Sequence, residues 1–235
     1  LKSALSLGAT EFHLNDYHEW FSNGVKNWLE FFVSKALKNI QKAVELDSLT
    51  TVDENAKCSS SAVDTLGIFQ EIRLFWQELA WPSPEEAFII LSKIVDDVCH
   101  CCVFYSKRLA DRVNQSLIDD IAAGCFNMVE LNFAWVDLSE VESKHSQDHQ
   151  VTQELCLAIN NIDHIRQGVE VFVKGLRVNE TLKKIEQAQG PEQAERCSKT
   201  VQSLVEHTMN TVENMGMTDK PVSYTHLTLP TIYSV

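Results

Sequence analysis

Apolar residues recur at three- and four-residue steps along most of the chain. Phe21, Val25, Trp28, Phe32, Ala36, Ile40 and Val44 mark a first stripe, the pattern of an amphipathic helix with one face turned to a core. Asn15 stands ahead of it as an N-cap, with Asp16 and Glu19 in the first turn, where the helix dipole favours negative charge. The stripe continues to about Asp47 and predicts a rod of roughly 32 residues, about 48 Å long. A polar loop over 48–61 follows. Ala62, Leu66, Phe69, Ile72, Trp76 and Leu79 then predict a second helix, which must stop before Pro82. Ser83-Pro84-Glu85-Glu86 combines an N-cap Ser, Pro at the first helical position and Glu three residues after the cap, a capping box. Behind it Phe88, Leu91, Val95, Val98, Cys102, Tyr105, Leu109 and Val113 predict a third helix of about 30 residues.

Between Asn114 and Glu154 the pattern degrades. Leu117 to Leu138 is apolar without one clean period and Ser139 to Gln150 is strongly polar, which predicts a weak helix and then a flexible loop. Leu155, Ala158, Ile162, Ile165, Val169, Phe172 and Leu176 restore a helix that ends near Gly175. Pro191 opens another, with Cys197, Val201, Leu204, Thr208 and Val212 on its face and Gly216 as a C-cap. The stretch from Val222 to Val235 holds no Asp, Glu, Lys or Arg and reads as strand-like. It looks like translated linker or adapter sequence and is set aside, with a genuine C-terminal strand as the alternative.

Composition supports helices throughout. Eight Gly and five Pro in 235 residues are too few for the tight turns of a sandwich or barrel. Hydrophobic residues at 44% and charged residues at 23% are those of a packed globular protein rather than a disordered one. No apolar run approaches the roughly 20 residues that cross a bilayer. Lys and Arg number 20 against 33 Asp and Glu, a net charge of −13, which argues against an autonomous nucleic-acid binder or attachment to anionic lipid by charge alone. Seven Cys, at 58, 99, 101, 102, 125, 156 and 197, are an odd number placed largely on apolar faces, as in a reducing compartment. The triplets Asn114-Gln115-Ser116 and Asn179-Glu180-Thr181 are then chance glycosylation motifs. The chain starts without Met and without a signal-peptide plan, and reads as an excised fragment.

Catalytic chemistry finds little support. There is no nucleophile elbow, phosphate-cradling loop, dinucleotide turn or His-Glu-x-x-His motif. Cys99-His100-Cys101-Cys102 could suggest a metal site, but it lacks a second Cys pair at a suitable distance, so core packing is the expectation. Glu142-Ser143-Lys144-His145 and Asp97-Val98-Cys99-His100 are only partial signatures of a di-iron bundle. No catalytic residue, cofactor or metal ligand is assigned. Trp20, Trp28, Trp76 and Trp81 are read as core residues, with partner anchors as the alternative.

The segment from Trp20 to Glu30, Trp20-Phe21-Ser22-Asn23-Gly24-Val25-Lys26-Asn27-Trp28-Leu29-Glu30, followed by Ala43-Val44-Glu45-Leu46-Asp47, resembles the MUN-domain vesicle-priming family, the Munc-thirteen group, in its BAI-associated protein three branch. Ser61-Ala62-Val63-Asp64 and the run Leu79 to Phe88 resemble the start of its first Munc-homology domain. Leu155 to Asn161, with Ile165-Arg166, resembles a later helix of that domain. The likeness covers about Tyr17 to Gly216 outside the irregular middle. It divides the chain into an N-terminal edge (1–14), a long helix and loop (15–60), a homology-domain-like bundle (61–216) with an insert at about 114–154, and a tail (217–235).

The resemblance implies an all-α, elongated stack of antiparallel helical bundles, like exocyst-type tethers. It also implies a non-enzymatic scaffold that primes vesicles through SNARE proteins, syntaxin above all. Placement would be cytoplasmic, peripheral to vesicle or plasma membrane, with membrane contact made by other domains of a longer protein and no nucleic-acid partner. Family members that open syntaxin carry Asn and Phe three residues apart on the second helix, and a gap-free alignment puts Gln70 and Arg73 there. Gln70 keeps the amide while Arg73 exchanges an apolar contact for a cation, which points towards dense-core vesicle or endosomal trafficking. A purely architectural spacer is the alternative, and a metal-dependent bundle enzyme a distant third.

Overall fold

The computed structural model describes residues 17–53, 56–131 and 153–215, with side chains placed for 18–53, 56–116 and 153–214. The described residues form six helices and no strand: α1 (Tyr17–Leu46), α2 (Ser60–Leu79), α3 (Pro84–Leu131), α4 (Gln153–Gly175), α5 (Val178–Gln189) and α6 (Pro191–Met215). The all-α expectation holds. Asn15, Asp16, the polar stretch 139–150, Gly216 and the strand-like tail lie outside the described residues. Among the described residues no helix is long and apolar enough to cross a membrane.

The buried stripe of α1 is Val25, Leu29, Ala36, Ile40 and Val44. Leu29 takes the place expected of Trp28, because Trp28 sits at the edge of the stripe and stacks on Phe75 of α2 at 3.8 Å between ring centroids. Phe21 faces outward. At the start of α3 the capping box is only half formed. Ser83 Oγ accepts from the Glu86 amide at 3.5 Å, but the Glu86 carboxylate turns to Trp81, whose Nε1–H donates to Oε2 at 2.9 Å and anchors a buried indole. The periodic faces of α3 and α4 are buried as their spacing requires, with Leu91, Val95, Leu109, Ile165 and Val169 fully enclosed. Each such side chain contributes about 1.5–3 kcal/mol on leaving water.

Two elements depart from the pattern. The backbone runs through Asn114 as unbroken helix to Leu131, where the loss of period predicts a separate weak helix. No Pro and a single Gly, Gly124, fall in that stretch, so nothing breaks the hydrogen-bond ladder. α3 is thus 48 residues, roughly 72 Å. The helix α5 goes unsignalled in sequence: it is 12 residues long, starts behind Arg177 in the left-handed conformation, and has no side-chain cap bond.

Side-chain contacts fix the directions. His18 reaches Glu86 at one end of α1, and Arg112 donates to the carbonyls of Val44 and Asp47 at the other, so α1 runs parallel to α3. Ser61 meets Tyr105 and Ser116 meets Glu154, so α2 and α4 both run against α3. They are therefore parallel to each other, tied at Ser59–Asn161 and Trp76–Leu176. Cys99 lies under Leu204 of α6, which also runs with α3, and α5 crosses the end of the bundle where Gln189 meets Glu85 at 2.8 Å. α3 is the shared spine, packed against all the other helices.

The polar loop conceals a buried knot. Asp47, 2% exposed, accepts from the hydroxyls of Ser59 and Ser61, from the Leu49 amide at 3.0 Å and from the Ser61 amide at 3.3 Å. The Ser61 proton is committed to the carboxylate, so the Tyr105 hydroxyl, 3.0 Å away, donates to Ser61. Asn161 closes the knot twice: Oδ1 accepts from the Ser59 amide at 2.8 Å, and Nδ2 donates to Ser59 Oγ at 2.6 Å. Burial alone would raise the carboxyl pKa of Asp47. The bonds from Ser59, Ser61 and the two amides outweigh it and hold the group below its ordinary value of 3.8.

A depressed folded-state pKa stabilises the fold fully above the unfolded value and loses that contribution as pH falls through the folded one. Asp47→Asn should cost about 1–3 kcal/mol at neutral pH. Urea unfolding should show the gap to the parent protein closing as pH drops below 3.8. A gap that stays constant into acid would show that the charge contributes nothing.

Candidate functional site

Because α2 and α4 run parallel, side chains about 100 positions apart in sequence sit side by side and line a groove. Its floor is apolar, with Leu66 and Phe69 from α2 facing Val171 and Phe172 from α4, and it encloses about 280 Å³. Phe69 and Phe172 meet at 6.2 Å between ring centroids, tilted by 57°. Gly168 leaves room for Leu66: a Cβ there would overlap the Leu66 methyls, and that side chain would have to turn aside. Gln70, His164 and Gln167 add polar edges.

Gln70 and Arg73 both line this groove and both are half-buried. Arg73 does more than line it. Its stem folds over Gly175, where an added Cβ would come 2.7 Å from Arg73 Cδ and from Nη1. Its neighbours on α2 cap the same helix end: Gln77 Nε2 donates to the Gly175 carbonyl at 3.0 Å and Trp76 Nε1 to the Leu176 carbonyl at 3.2 Å. A guanidinium over the last turn of α4 meets the negative end of that helix dipole. The arrangement offers no nucleophile and base in contact. It offers an apolar trough with an amide and a cation on its rim, which suits an amphipathic helix laid along it.

The thiols sit elsewhere, in the core. Cys99, Cys101 and Cys102 are buried while His100 is exposed, so the four-residue cluster does not converge. Burial pushes the Cys101 and Cys102 thiols up to about 12 and raises Cys99 as well. Such groups stay protonated and pack as small apolar side chains. Among the described residues no group of three or more His, Cys, Asp or Glu is placed to hold a metal. Asp97 is buried against Lys93, whereas Glu142 and His145 lie outside the described residues. Of the tryptophans, Trp81 is core and Trp76 caps a helix end, but Trp20 is 68% exposed, against the core reading.

The family model of the MUN domain matches residues 4–219. The chain belongs to the MUN domain family. It is 37% identical over 209 residues to protein unc-13 homolog 4B of Drosophila melanogaster, covering 89% of this chain and 16% of the fly protein. Human protein unc-13 homolog D is 29% identical, covering 65% of this chain and 12% of its own length. Mouse BAI1-associated protein 3 is 28% identical, covering 69% and 12%. The chain thus spans less than a fifth of the relatives it matches.

Within this MUN chain, the residues that sequence reasoning missed are those of the Asp47 knot. Asp47, Ser59, Ser61, Tyr105 and Asn161 set the register of α2 against α4 at the head of the groove. A serine run after an acidic helix end was the only local signal. Native-state alkylation checks the assignment of the thiols. At pH ~8, among the described thiols, the partly exposed Cys156 should react first and Cys99, Cys101 and Cys102 only on unfolding. Fast labelling of Cys101 or Cys102 in the folded chain would refute their packing role.

Proposed function

We propose that this MUN domain segment is a non-catalytic scaffold piece in vesicle exocytosis, and that it seats a SNARE helix of the syntaxin type along the α2–α4 groove. One observation carries the reading: the two positions singled out by family resemblance, Gln70 and Arg73, line a single apolar trough together. A helix in such a groove buries anchors at three- and four-residue spacing, and the row Leu66, Phe69, Val171 and Phe172 provides their counterpart. Gln70 supplies an amide to the rim. Arg73 is packed over Gly175, so the apolar contact that opens syntaxin in other family members is replaced by a cation lying against α4. Engagement without forced opening fits dense-core vesicle or endosomal trafficking, with a cytoplasmic, membrane-peripheral placement of the longer protein.

Val171 is 60% exposed and lines the groove, so a charge there should spare the core. Titration of the 235-residue chain with a labelled syntaxin SNARE helix should show saturable binding. Val171→Asp should weaken it at least about tenfold, roughly 1.4 kcal/mol. Ile89→Asp, equally exposed on α3 but outside the groove, should leave it unchanged. Absence of binding, or equal binding by both variants, would overturn the assignment.

A further inference from the structure

The outer side of α1 carries a second surface that the groove does not use. Trp20, Phe31, Lys35, Lys38 and Lys42 follow one another at steps of eleven, four, three and four residues. At 3.6 residues per turn they fall on one stripe, turned away from the buried Ala36, Ile40 and Val44. Trp20 is 68% exposed and Phe31 67%, and Phe21 lies beside them at 61%. The three lysines are exposed and enter no ion pair among the described residues. Glu19 and Glu30, the acids on the aromatic half of the helix, lie roughly 100–120° round from the stripe, whereas Glu45, exposed three residues beyond Lys42, falls on it and accepts from Gln41, so the lysine end carries three cations and one acid. In a chain of net charge −13, exposed aromatic rings running into a stretch of net positive charge are a local reversal of the surface character.

We propose that this face of α1 docks on an anionic phospholipid bilayer, with Trp20, Phe21 and Phe31 seated among the headgroups and Lys35, Lys38 and Lys42 above the negative surface. Tryptophan and phenylalanine with lysine are the composition of helices that lie in the membrane interface, and lysine stems can lie along apolar surface while the ammonium reaches the headgroups. The shape favours a bilayer over a protein helix. The stripe is the convex side of one helix, a ridge roughly 33 Å long from Trp20 to Lys42, and a ridge matches a flat, deformable surface. The concave seat that a partner helix needs is on another side, between α2 and α4. The docking goes beyond the SNARE reading and is independent of it. It assigns membrane contact to this chain itself, where the sequence led us to expect it only from other domains.

The test is co-sedimentation of the 235-residue chain with phosphatidylcholine vesicles, with and without phosphatidylserine. The parent chain should pellet with the phosphatidylserine vesicles. The triple variant Lys35→Glu, Lys38→Glu, Lys42→Glu should bind at least about tenfold more weakly. Trp20→Ser with Phe31→Ser should also weaken binding, and should lose the fluorescence quenching by brominated acyl chains that the parent shows. All five side chains are exposed, so circular dichroism of both variants should match the parent. Absence of pelleting by the parent, pelleting of both variants like the parent, or no quenching by brominated lipid would each overturn the proposal. So would a parent chain that ignores vesicles while the same variants lose an acidic SNARE helix, since the face would then be a protein interface. Val171→Asp should pellet like the parent, which separates failure here from failure of the groove reading.

Discussion

A carboxylate withdrawn from water at the end of one helix organises the three that follow. Asp47 closes α1, and the chain leaves it through a short loop to begin α2 at Ser60. Five donors would otherwise be stranded in that corner: two serine hydroxyls, two backbone amides and, through Ser61, the phenol of Tyr105. Buried polar groups without partners are costly, so an arrangement that satisfies all of them at once admits few alternatives. Arg112 covers the carbonyls of Val44 and Asp47 from α3, and Asn161 takes both polar groups of Ser59 from α4. Four helices meet at one point whose geometry is set by hydrogen bonds rather than by grease.

That point governs the groove. α2 and α4 are parallel neighbours without a direct connection, and apolar packing alone would tolerate sliding by a turn. The knot pins one end of the pair, and the bonds from Trp76 and Gln77 to the last carbonyls of α4 pin the other. Between these ends Gly168 admits Leu66, and Phe69 meets Phe172. The trough is thus a consequence of register. Arg73 sits on that rim with its side chain packed over Gly175 at the end of α4.

Much of the architecture was legible in the stripes. The ends of α2, α4 and α6 were marked by Pro82, Gly175 and Pro191, where backbone chemistry overrides side-chain pattern. Register between non-adjacent helices was not legible. Asp47 and Asn161 are ordinary polar residues in sequence, and only folding brings Ser59 to a partner 102 positions away. The short α5 escaped because its buried contribution is little more than Thr181 and Ile185. The outward aromatics of α1 were misjudged for a related reason: Trp20 and Phe21 are large and apolar, and a period of 3.6 residues does not say which of two adjacent stripes faces the core. For the groove, the positions of Gln70 and Arg73 came from resemblance, while its α4 wall came only from coordinates.

The central claim is that the Asp47 knot, not general packing, holds α2 and α4 in register. Native-state amide hydrogen exchange on Ser61→Ala, compared with a core truncation of equal stability loss such as Val169→Ala, tests it most directly. The account requires Ser61→Ala to lose protection selectively in the first turns of α2 and around Asn161, extending to Gly168, while α6 keeps its protection. A uniform loss of protection across all six helices, indistinguishable from that of Val169→Ala, would contradict it.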